Sequence, residues 1–174
     1  MKGLWKRFAA GISAVALTIG WHGQAAEAVP ERYVVACVGD SITEGIGATS
    51  PVLYSYPAQL QKLLGERYEV HNCGSGGTTL LKSGDFSYRK QSRYRESRTC
   101  NPHIVIIMLG TNDVKERFGA NAACIAAGME RLILKAKSVD CWGTKQPNIL
   151  VVAPPPIGAG FHDAVMGDGC VEKS

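Results

Sequence analysis

A chain of 174 residues, 45% hydrophobic and 20% charged, has the make-up of one globular domain with a sizeable core and excludes a disordered or low-complexity protein. Its formal charge of +4 drops to about +2 once Lys2, Lys6, Arg7 and Glu27 of the N-terminal segment are set aside. That bias is too slight for a nucleic-acid partner, and no zinc-finger or RNA-binding signature accompanies it.

The N-terminus reads as a secretory signal. Lys2, Lys6 and Arg7 form a positive n-region, Phe8 to Gly20 an apolar stretch of about 13 residues, and Ala26-Glu27-Ala28 a small-x-small cleavage site. A membrane-spanning helix needs about 20 apolar residues, so the expectation is a secreted or periplasmic protein, cleaved near Ala28, with no membrane span in the mature form. Six cysteines follow (Cys37, Cys73, Cys100, Cys124, Cys141 and Cys170), which permits disulfides without choosing among their pairings. Cys100 with Cys141 is one candidate bridge. Cys37 lies inside a strand pattern and reads as a small buried hydrophobe. There is no Cys-x-x-Cys and no zinc spacing, so no metal and no cofactor are expected.

Tyr33-Val34-Val35-Ala36-Cys37-Val38 predicts a buried first strand that stops at Gly39-Asp40-Ser41. Tyr56 to Leu64 has helical spacing, with Ser55 as N-cap, Pro57 in the first turn and Gly65 past the end. Tyr68 to Asn72 reads as a short strand entering the glycine-rich turn Cys73 to Gly77. Gly84 to Asn101 is polar and basic, a helix or long loop. Its Arg89, Lys90, Arg93, Arg95 and Arg98 could face an anionic substrate such as an acidic polysaccharide, and the simpler reading is a solvated helix face. Ile104 to Leu109 is a continuous apolar run, as for a central parallel strand covered on both faces. Ala122, Ile125, Met129, Leu132, Ile133 and Ala136 make the apolar stripe of a helix over residues 121–138. Asn148 to Ala153 is a fourth strand, stopped by Pro154-Pro155-Pro156. Strand–helix alternation predicts an α/β domain built on a doubly wound parallel sheet.

Three predicted strands end in polar, glycine-containing turns: Gly39-Asp40-Ser41-Ile42, Asn72-Cys73-Gly74-Ser75-Gly76-Gly77 and Gly110-Thr111-Asn112-Asp113. Strand ends of this kind are where α/β sheets hold ligands and nucleophiles. In order, spacing and position across residues 33–156 the three turns resemble the three blocks of the GDSL-type lipases and esterases, the SGNH hydrolase family. The resemblance implies a three-layer α/β/α, flavodoxin-like parallel sheet over residues 29–174. It also implies Ser41 as the nucleophile, with Gly77 giving a backbone N–H and Asn112 a side-chain N–H to an oxyanion hole. The chemistry of the residues agrees, since acyl transfer builds charge on an oxygen and preorganised donors stabilise it. Gly76 is the alternative donor one residue away. Asn112 and the glycines taken singly could be turn residues and nothing more. No Gly-x-Ser-x-Gly, Walker A or complete Gly-x-Gly-x-x-Gly motif competes.

The family's sites are completed by an Asp-x-x-His block near the C-terminus, and no Asp-x-x-His occurs in this sequence. His22 lies in the signal, His71 inside the second strand, and His103 at the foot of the third. His162 has Asp163 beside it, but adjacent residues cannot mimic a pair three apart in which the acid orients the imidazole. The expectation is a truncated domain whose last strand and helix are missing. It would be inactive as it stands or complemented by a C-terminal fragment, with an exposed sheet edge prone to aggregation. The substrate class implied is a small ester or an acetylated carbohydrate. The alternative is a catalytically dead fragment or a carbohydrate-binding module of the same fold.

Overall fold

The computed structural model describes residues 31–138 and 146–157. Strands β1 (Tyr33–Gly39), β2 (Tyr68–Gly74), β3 (Ile104–Met108) and β4 (Asn148–Val151) form one parallel sheet in the order β2-β1-β3-β4. The expected flavodoxin-like arrangement is present in these four strands. The helices are α1 (Ser41–Glu44), α2 (Pro51–Tyr54), α3 (Tyr56–Leu64), α4 (Ser92–Thr99) and α5 (Ala122–Ala136).

Alternation along the strands sends side chains to two faces. Ala36 and Val38 of β1 lie in register with Val105 and Ile107 of β3, and all four are fully buried. Tyr94 of α4 and Leu132 and Ala136 of α5 close the same cluster, which defines one helical layer. Each such buried aliphatic side chain contributes roughly 1.5–3 kcal/mol relative to exposure. Cys37 points to the opposite face, where Tyr56 at the start of α3 reaches its thiol. Asn72 is in register with Cys37 and meets the backbone of α1 on that same side. The domain therefore has three layers, with α4 and α5 on one face and α1 to α3 on the other.

Most predicted elements lie where the sequence puts them, and the differences have local causes. Gly84 to Asn101 is neither one helix nor a loop. It holds a 3-10 turn at Tyr88–Lys90 and then α4, with Tyr88 and Tyr94 buried edge-to-face against one another. Ser55 occupies the N-cap of α3 with extended backbone, but its hydroxyl makes no capping bond. It accepts from the Asn72 amide at 3.4 Å instead. Ala122, at the first turn of α5, is exposed, so the apolar stripe begins at Ile125. The outer edge of β2 is partly covered by Gln61 of α3, which accepts from the Val70 N–H at 2.8 Å and donates to the Tyr68 carbonyl at 3.0 Å. This side-chain pairing blunts an otherwise open strand edge. On β4, Leu150 and Val151 remain exposed.

Cys37 is wholly buried, and burial pushes its thiol up to about 12, as befits a packing residue. Cys100 is a free thiol whose Sγ donates to the Ser97 carbonyl, and its candidate partner Cys141 lies outside the described residues. The N-terminal signal segment also lies outside them. No described helix is long and apolar enough to cross a membrane.

Candidate active site

The site is built at the carboxyl end of β1. Asp40 is the N-cap of α1, and its Oδ1 accepts the Ile42 N–H at 3.0 Å, so the chain turns sharply and Ser41 becomes the first helical residue. Two glycines allow that turn to rest on the sheet. A Cβ on Gly39 would stand 1.8 Å from Thr43 Oγ1, and one on Gly74 2.1 Å from the Glu44 backbone nitrogen. Ser41 is left half-buried at the mouth of the turn. The first N–H groups of a helix have no partner within it. Among the described residues, no acceptor meets the Ser41 N–H, and its hydroxyl donates to none.

The second turn follows β2 alongside. The Ser75 N–H donates to the Gly39 carbonyl at 3.0 Å, and a Cβ on Gly76 would come within 3.9 Å of the Ser41 Cβ. The Gly76 N–H is taken: it donates to Oε2 of Glu44 at 2.6 Å. Gly77 has φ +71°, a conformation that favours glycine, and its N–H meets no acceptor among the described residues. Of the two candidate backbone donors, Gly77 is thus the one left open.

The third turn, after β3, pivots on Gly110 (φ +128°) into a 3-10 turn at Thr111–Val114. Asn112 is buried, and its Nδ2 donates one hydrogen to the Thr78 carbonyl at 3.0 Å. A primary amide has two such hydrogens. The second has no acceptor among the described residues. Asp113 fixes this turn to the second, because its two carboxylate oxygens accept the N–H groups of Leu80 and Leu81, each at 2.8 Å. Thr111 brings its hydroxyl towards the buried carboxyl of Asp40.

Burial raises the Asp40 carboxyl above its ordinary 3.8, against the Ile42 N–H and the Thr111 hydroxyl, which lower it, while Asp113 adds like-charge repulsion. Asp113 is raised by burial as well, and the Leu80 and Leu81 N–H groups oppose the rise. Asp40 caps α1 within its own turn, and Asp113 ties the third turn to the second.

The structure brings Ser41, Gly77 and Asn112 into one assembly of three turns and keeps the described histidines away from it. His71 lies three residues before the end of β2 and pairs with Glu69 (Nε2 to Oε1 3.0 Å). His103 accepts the Val34 N–H on Nδ1 at 3.0 Å, below the start of β3 and at the opposite end from Ser41. His22, His162 and Asp163 lie outside the described residues. In the basic segment Arg93 is paired with Glu96 at 2.6 Å, and Arg98 lies over the Tyr94 ring. No group of three or more metal-ligating side chains occurs among the described residues.

Sequence reasoning gave no role to Glu44, Asn72, Thr78 or Asp113. Asp113 had a signal, an acid beside the amide in a turn, but its partners at Leu80 and Leu81 follow only from the fold. Beyond Glu44 and Gly74, along the outer edge of β2, a groove of about 580 Å³ is lined by Val52, Gln61, Lys62, Asn72 and Arg93, and Ser41 is not among its walls.

Residues 37–169 match the GDSL-like Lipase/Acylhydrolase family, and the chain belongs to it. An 81-residue stretch is 46% identical to an acetylxylan esterase from Xylanibacter ruminicola, covering 47% of this chain and 17% of that protein. The chain therefore spans under a fifth of that relative's length. Among solved structures, a carbohydrate acetylesterase family member from Sinorhizobium meliloti is similar at 28% identity and a TM-score of 0.68, over 81% of this chain and 72% of that one. An aryl esterase from M. smegmatis is similar at 28% identity and a TM-score of 0.66, over 81% and 74%. The fold is the α/β fold of the SGNH hydrolases.

Proposed function

We propose that this family member is an exported serine esterase that hydrolyses carboxylic esters, either O-acetyl groups on carbohydrate or short-chain and aryl esters. One observation carries the reading: three turns remote in sequence are tied together so that the Ser41 hydroxyl, the Ser41 and Gly77 N–H groups and one Asn112 N–H have no partner among the described residues. Ser41 Oγ attacks the ester carbonyl carbon and gives up its proton to a base. The carbonyl oxygen becomes an oxyanion held by the three donors. Collapse breaks the carbon–oxygen bond, the protonated base gives its proton to the departing oxygen, and the alcohol leaves behind an acyl-serine. Water then attacks the acyl carbon, releases the acid and returns the proton to Ser41.

The relatives named for acetylxylan, carbohydrate acetyl groups and aryl esters support this range of substrates. The proposed export rests on the sequence of residues 1–28. A second reading, an inactive member that only binds acetylated carbohydrate, is favoured by His71 and His103 both standing away from Ser41.

Initial rates on p-nitrophenyl acetate and on acetylated xylo-oligosaccharides, for the full chain and for Ser41→Ala, separate the two readings. Turnover that Ser41→Ala abolishes supports the esterase. Saturable oligosaccharide binding with no Ser41-dependent turnover supports the binding module.

A further inference from the structure

We infer that Glu44 is a positioning residue that sets the oxyanion hole by holding the second turn against α1. The inference rests on Ser41 and Gly77 having the roles just proposed. Glu44 stands three residues after Ser41, so both project from the same side of a single helical turn. It engages the second turn at three successive points. Its backbone nitrogen packs so closely on Gly74 that a Cβ there would lie 2.1 Å away. Its carbonyl accepts from Asn72 Nδ2 at 3.3 Å, and its carboxylate accepts the Gly76 N–H at 2.6 Å.

The last contact is decisive. Hydrogen bonds to an ionised acceptor are shorter and roughly twice as strong as neutral ones. Anchoring the Gly76 N–H on Glu44 removes it from competition for the substrate oxygen and fixes the Ser75–Gly76 peptide plane, the one next to the peptide that carries the Gly77 N–H. The Gly77 N–H is then the donor left open. Glu44 touches neither the nucleophile's proton nor the developing charge. Its effect passes through the glycine turn, and so should appear in the rate of the chemical step more than in substrate affinity.

The test compares Glu44→Ala and Glu44→Gln in the full chain. In Glu44→Ala the turn loses its side-chain acceptor, and kcat on p-nitrophenyl acetate should fall about tenfold or more, short of the ~10²–10³ loss typical of deleting a donor outright, with KM changed less than about threefold. Glu44→Gln retains an acceptor oxygen at the same reach and should restore kcat to within about threefold of the parent. Equal kcat in Glu44→Ala and the parent, or a loss carried wholly by KM, overturns the proposal.

Amide hydrogen exchange at Gly76 gives a second readout that needs no activity. The Gly76 N–H should exchange about tenfold or more faster in Glu44→Ala while Val38 in β1 keeps its protection, which also shows that the variant is folded. Unchanged Gly76 exchange overturns the tie itself. If the parent chain shows no Ser41-dependent turnover, the esterase reading fails, and the exchange measurement still decides whether Glu44 holds the turn.

Discussion

Replacing Asn112 with alanine removes two things at once, and the structure lets them be separated. One Nδ2 hydrogen bonds the Thr78 carbonyl at 3.0 Å inside a buried turn, and the other is the proposed oxyanion donor. Losing the first leaves a buried carbonyl without its donor, which costs about 1–3 kcal/mol of stability. For a domain of this size that corresponds to a fall in Tm of roughly 3–10 °C. Losing the second removes a donor that acts on the developing charge, worth about 2.7–4 kcal/mol of transition-state stabilisation, or roughly 10²–10³ in kcat. Asn112→Ala should therefore melt a few degrees lower and, assayed on p-nitrophenyl acetate well below its own melting temperature, lose about two to three decades of kcat with little change in KM. A folded Asn112→Ala variant with kcat within threefold of the parent would refute the oxyanion role and reduce Asn112 to a turn residue.

Three further outcomes follow from the same geometry. Gly74→Ala places a Cβ 2.1 Å from the Glu44 backbone nitrogen, where no flexible side chain can yield, so chemical denaturation should show a loss of about 3 kcal/mol or more. A loss below 1 kcal/mol would mean that α1 does not rest on the end of β2. Asp40→Asn tests the buried acid. Because the folded carboxyl is raised above its ordinary 3.8, the folded state holds the proton more tightly. The contribution of this group to stability is fully present below 3.8 and is lost as pH rises through the raised value. The asparagine variant keeps an N-cap acceptor but not the titration, so the stability difference between parent and variant should shift in the variant's favour across that window and then level off. A difference independent of pH there would contradict the assignment. Thiol labelling of the native chain with peptide mapping should modify Cys124, which is exposed, and spare Cys37 and Cys73, whose thiols burial pushes up to about 12. Rapid labelling of Cys73 would show that the turn after β2 opens.

How far the sequence reached depends on how local each feature is. The first strand, the helix over Tyr56–Leu64 and the stripe from Ile125 to Ala136 are set by periodicity and by their bounding glycines and prolines, and they stand in the structure as read. Gly84 to Asn101 was ambiguous because its polar pattern hides two buried tyrosines that matter only once a sheet is there to cover. The candidate nucleophile and the two oxyanion donors were legible as three turns, since each turn's residue types announce its chemistry. What binds the turns was not legible. Glu44 meets Gly76 across 32 positions, Leu80 meets Asp113 across 33 and Asn112 meets Thr78 across 34. No local pattern encodes such pairs.

The sequence by itself determined which residues could attack and which could donate, because side-chain chemistry and turn propensity are properties of a few neighbouring positions. Only the tertiary structure decided that Gly77 rather than Gly76 is the open donor. That choice turns on a carboxylate from another element occupying one N–H and leaving the next one bare. The same packing sets His71 and His103 apart from Ser41, since parallel strands carry one to mid-strand and the other to the far end of the sheet.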